Sequence, residues 1–102
     1  MNKPTVTING TVHEIRNLKV RDWRFLTEFM DADIKPSQPE FIERHAGFIA
    51  SFFDGVTAKD ILDLPLEDIL PLFHDIVNYI MGRLWVKFED KKNVETADAE
   101  KA

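Results

Sequence analysis

The side chains able to do chemistry in this 102-residue chain are few and scattered. With no cysteine, thiol catalysis and Cys-ligated zinc are excluded. The histidines are His13, His45 and His74, and none stands at the i, i+4 spacing that puts two imidazoles on one helix face, as the H-E-x-x-H pattern does. His74 precedes Asp75, but neighbours on a helix point about 100° apart and do not make a dyad. Asp31 and Asp33 resemble the opening of a calcium loop, yet Lys35 and Pro36 stand where a ligand and the glycine belong, and Ile42 replaces the closing glutamate. Asp60, Asp63, Glu67 and Asp68 gather around two expected helix starts, where negative charge meets the positive end of the dipole, so capping and solubility account for them. Ser37 and Ser51 lack a base nearby in sequence, and the four glycines form no phosphate-cradling loop. The residues therefore point to no catalytic site, no metal and no cofactor, and the chain reads as a protein that is not an enzyme. His45 reads as a hydrogen-bonded imidazole within an aromatic stripe, and His13 as an amphipathic residue at the edge of a sheet face.

What remains is binding, and composition narrows the partner. A net charge of -5 and a pI near 5.1 disfavour nucleic acid and anionic membranes, both of which are held by clustered Lys and Arg. The segment "LPLFHDIVNYIMGRLWVKF", residues 70–88, is apolar nearly all round. His74 and Asp75 before its most apolar portion, and Arg83 and Lys87 after it, interrupt the run of about 20 apolar residues that a membrane span needs. The absence of cysteine and of a basic-then-apolar leader favours a cytoplasmic protein. The length suits one small domain over residues 1–88, followed by a flexible, charged tail over 89–102, "EDKKNVETADAEKA", which has too few apolar groups to offset the entropy of ordering it.

The elements that position these groups are expected to be a hairpin and helices, an α+β and mostly α fold. In "TVTINGTVHEI" two β-rich runs flank Asn9-Gly10, the dipeptide that best tolerates a type I′ turn, so a hairpin over about residues 5–15 pairs Ile8 with Thr11 and Val6 with His13. Val6, Ile8, His13 and Ile15 then share one face, which must lie on helices because an isolated hairpin is marginal. A first helix over about 20–31 has Trp23, Leu26 and Met30 on one side and Phe25 and Phe29 on another. A second, over about 39–53, carries Phe41, Ile42, His45, Phe48, Ile49, Phe52 and Phe53 in a broad stripe. Gly47, Ala50 and Ser51 behind it could admit a close neighbouring helix or simply face solvent. Gly55 is a C-cap, Thr57 and Asp60 resemble a capping box for a short helix over about 58–63, Val56 and Ile61 stand where a hydrophobic staple would, and Pro65 suits the first turn of a last helix over about 66–88.

On that last helix Leu66, Ile69, Leu70, Phe73, Ile76, Val77, Ile80, Leu84 and Phe88 form the expected core face. Leu72, Tyr79 and Val86 recur about a third of a turn away, and Trp85 lies on the opposite flank. A small domain has few elements to cover both flanks. Leu72, Tyr79, Trp85 and Val86, with Phe25 and Phe29 of the first helix, are therefore the candidates for a partner-binding or self-association surface, the alternative being that they complete the core under the hairpin.

"LKVRDWRFLTEFMD" followed by "FIERHAGFIASFFDGVTAKDILDLPLEDILPLFHDIVNYI", with "INGT" in the hairpin, resembles the small tail assembly chaperones of long-tailed phages and prophages of Gram-positive bacteria. The likeness spans nearly all of the expected folded part and includes no active-site motif. It departs from the family's pattern at His13, a position often aromatic, and at Lys19, often threonine. The resemblance implies a protein of the host bacterial cytoplasm, absent from the mature virion. Such a protein binds the long helical tape measure protein and keeps it soluble until tail tube subunits polymerise around it, which makes the tail tube protein a second expected partner. The competing reading is a small helical regulator, of antitoxin or anti-repressor type, binding through its charged tail.

Overall fold

The computed structural model describes the backbone of residues 3–101 and the side chains of residues 3–85. Two strands, β1 (Thr5–Ile8) and β2 (Thr11–Glu14), form the expected antiparallel hairpin, with Ile8 opposite Thr11 and Val6 opposite His13. Asn9 (φ 50°) and Gly10 (φ 80°) supply the two positive φ angles of a type I′ turn, whose twist matches that of the strands. The register places Val6 and Ile15 in the core and leaves Ile8 and His13 half-buried, while Val12 on the other face is exposed. The Ile15 N–H donates to Pro4 O at 3.0 Å, and the Arg16 N–H to Phe52 O at 2.9 Å, tying the hairpin's exit to the segment after the second helix.

The helices are α1 (Val20–Asp31), α2 (Pro39–Ala50), α3 (Ala58–Leu62) and α4 (Ile69–Lys101), the last preceded by a 3₁₀ turn at Leu66–Asp68. Pro39 sits in the first turn of α2, where its missing N–H is not needed. α2 ends three residues before the expected boundary at Phe53. The N–H groups of Phe52 and Phe53 donate three residues back, to Ile49 O and Ala50 O at 3.1 Å each, tightening the chain into turns that Gly55 (φ 78°) completes. Phe52 and Phe53 remain fully buried. Thr57 and Asp60 form a reciprocal cap on α3: Thr57 Oγ accepts the Asp60 N–H at 3.2 Å and Asp60 accepts the Thr57 N–H at 2.9 Å, with Val56 and Ile61 buried on either side. Behind α2, Gly47 has open space around it rather than a neighbouring helix, whereas Ala50 is buried.

α4 differs most from expectation. Its inward face is Ile69, Leu72, Phe73, Ile76, Tyr79 and Ile80, a repeat of three and four residues. This is rotated by about 60° from the expected stripe at 100° per residue, so Leu72 and Tyr79 enter the core while Leu66, Leu70 and Leu84 leave it. Helical backbone also continues past the expected end near Phe88 to Lys101. Glu, Lys and Ala are good helix formers, so a polar segment needs no buried face to extend a helix already nucleated. The surroundings of the side chains from Val86 onward, Phe88 included, lie outside the described residues.

Under the hairpin the core is aromatic at its centre. Phe48 meets Phe25, Phe29, Phe52 and Phe73 at centroid distances of 4.5–5.5 Å, and the mostly edge-on or tilted arrangements suit the ring quadrupoles.

Candidate functional site

The groups expected to be structural are so placed. His45 is buried with Nδ1 2.7 Å from Phe41 O, so the proton on Nδ1 is donated to that carbonyl, while its ring packs edge-on against Phe29 and Phe73. Ser51 Oγ donates to Phe48 O at 2.6 Å. Asp31, Asp33, Asp63, Glu67, Asp68, His74 and Asp75 are exposed. Among the described residues no group of three or more His, Asp or Glu side chains converges as a metal site, and no helix is long and apolar enough to cross a membrane.

One buried ionic contact went unforeseen. Arg16 makes a two-pronged pair with Asp22, 2.9 Å on each side, while its Nε–H donates to Ser51 O at 2.9 Å and its guanidinium lies over the Phe52 ring. The Asp22 carboxylate, almost wholly buried, also accepts the Lys19 N–H at 2.7 Å and so caps α1. The arginine's hydrogen bonds hold the carboxyl below the ordinary range, against the opposing effect of burial, and the backbone N–H adds to them. The clasp joins the hairpin's exit, the start of α1 and the end of α2. Its one sequence signal is an acidic residue at the third position of the expected helix.

The expected binding residues divide. Leu72 and Tyr79, each 9% exposed, belong to the protein's own core, as the rotation of α4 requires. Phe29 is half-buried in the aromatic cluster, and Phe25 stacks on Phe48 at 5.2 Å with its outer edge exposed, so both project from the side of α1 that faces α2. Trp85 is exposed on the outer flank of α4, and Val86 lies outside the described residues.

The unsatisfied apolar surface lies on the other flank of α4, where it faces α1. Two adjoining hollows run between these helices and meet at Trp23. One, of about 670 Å³, is lined by Leu18, Val20, Trp23, Tyr79, Ile80 and Leu84 among others, and the second, of about 400 Å³, by Trp23, Leu26, Thr27, Met30, Val77 and Met81. The pairing of lining residues shows α1 antiparallel to α4, with the Val20 end beside Leu84 and the Met30 end beside Val77. Val20 is 92% and Met30 60% exposed, and Met81 and Leu84 are exposed as well. Measured along α1 from Val20 to Met30 the groove spans about 15 Å, close to three helical turns. A cleft of this shape between two helices, lined by two unbranched, adaptable methionines, is suited to the apolar face of a third helix.

The sequence marks Val20, Trp23, Leu26, Met30, Val77, Met81 and Leu84 as apolar, but Val77 and Leu84 were expected in the core. Because apolar residues occur on nearly every side of α4, their pattern does not say which flank the fold covers.

No protein-family model matches the chain, and neither a curated protein nor a solved structure matches it.

Proposed function

We propose that this chain is a non-catalytic tail assembly chaperone of a long-tailed phage or prophage, which holds an apolar helical face of the tape measure protein until tail tube subunits replace it. The observation that carries the reading is the uncovered apolar groove between α1 and α4, at Val20, Trp23, Met30, Val77, Met81 and Leu84. The sequence resemblance supports the identity of the partner. A long helical chain made before its tube exposes apolar stripes that aggregate unless covered. A groove of about three turns covers one such stripe over an area below that of a permanent interface, so it can release when tube subunits compete. The protein would act in the host cytoplasm and be left out of the finished tail.

The test is co-expression with the long coiled-coil protein encoded beside it. The native chain should raise the soluble fraction of that partner, and the double substitution Met30→Glu with Met81→Glu should return it to the level seen without the chaperone. Deletion of residues 89–102 separates this reading from the regulator that binds through its tail. Should the deletion abolish partner solubility while the methionine substitutions leave it intact, the chaperone reading of the groove fails.

A further inference from the structure

The groove is electrically directional, although the chain as a whole is acidic. Lys3, Lys19 and Arg83 line its Val20–Leu84 end. Among the described residues the carboxylate lining that end is Asp22, already neutralised by its two-pronged pair with Arg16. At the opposite end the charged lining residue is Asp31. The helix dipole of α1 points the same way, with its positive N-terminus among the cations and its negative C-terminus beside Asp31.

Asp22 apart, whose carboxylate caps the helix, that arrangement is unfavourable to α1 on its own account. Lys19 and Arg21 stand at the end where the dipole disfavours cations, and the last turn carries Asp31 and no basic residue, where it disfavours an anion. Charge placed against a helix's own dipole, along the wall of an apolar groove, makes sense if it complements an occupant. Departures from local rules of this kind concentrate at functional sites.

We propose that the groove accepts a single amphipathic helix in one direction. Its C-terminal end, bearing acidic side chains, lies at Lys3, Lys19 and Arg83, and its N-terminal end lies at Asp31. The bound helix therefore runs parallel to α4 and antiparallel to α1. Its own dipole sets its negative end against the cations, and acidic residues in its last turn add ion pairs there. The proposal rests on the reading that the groove holds a helix, and adds to it the charge pattern and polarity of the segment held. Within a long helical partner, segments with an apolar stripe ending in an acidic turn are selected over those with the reverse pattern.

The probes are two hydrocarbon-stapled helices of about four turns sharing one apolar stripe. One has Lys in its first turn and Glu in its last; the other has these charges exchanged. Stapling equalises helicity, which charge placement would otherwise alter. Binding to the full-length chain is measured by fluorescence anisotropy and located by amide shifts. The helix with Glu in its last turn should bind about tenfold tighter, shift amides of α1 and α4, and lose its advantage in high salt. Lys19→Glu with Arg83→Glu should invert the preference. Equal affinity of both probes at the groove overturns the directional proposal while leaving helix binding in place. Failure of both probes to bind overturns both. If the chain self-associates through Met30 and Met81 and excludes both probes, the occupant is a second copy and the proposal is likewise overturned.

Discussion

At the scale of single residues, His45, Ser51, Thr57 and Asp60 are held by hydrogen bonds in structural roles, and the Arg16–Asp22 pair is a contact that composition does not reveal. Asp22 is buried, paired twice with Arg16 and bonded to the Lys19 N–H. Asp22→Asn removes the charge from that clasp and should cost about 1.5–3 kcal/mol near neutral pH, read from urea unfolding. Because the folded pKa is lowered, the stability this carboxylate contributes is complete above the ordinary carboxylate range and is lost as pH falls through the folded value. Below about pH 4 the native protein should therefore lose stability more steeply than the variant. The Thr57–Asp60 cap was legible because both partners lie within one turn. The Arg16 clasp was not, because it joins three elements.

At the scale of elements, the hairpin and α1 follow their sequence signals nearly residue for residue, and α4 shows where such signals stop. Its inward face includes Leu72 and Tyr79 and excludes Leu70. Leu72→Ala should accordingly cost about 2–5 kcal/mol through loss of burial and the cavity left behind. Leu70→Ala should change stability by no more than about 0.5 kcal/mol. Thermal melts of the two variants would restore the expected face if the order were reversed. On α2, Gly47 is exposed with nothing near the position of an added Cβ. Gly47→Ala should therefore stabilise the protein by about 0.5–1 kcal/mol, as the helix loses its most flexible residue without a clash. A loss on that substitution would show that another helix does approach there.

At the scale of the whole molecule, hairpin and helices share one core, and the hairpin's two inward residues join the same buried cluster as α2 and α4. What that core does not use is the valley between α1 and α4. Met30 and Met81 are exposed there, so their double replacement by glutamate should leave the unfolding midpoint nearly unchanged while removing partner binding. A midpoint that drops sharply would mean the groove is closed in solution by the protein's own contacts. The amino-acid sequence by itself determined the I′ hairpin and its register, the starts of α1, α2 and α3, the α3 cap and the surplus of apolar surface, because each depends on contacts within a few residues or on simple counting. Which flank of α4 is buried, and hence where that surplus emerges, was decided by tertiary structure alone. A helix apolar on almost every side has no preferred direction until neighbouring helices and a hairpin cover part of it.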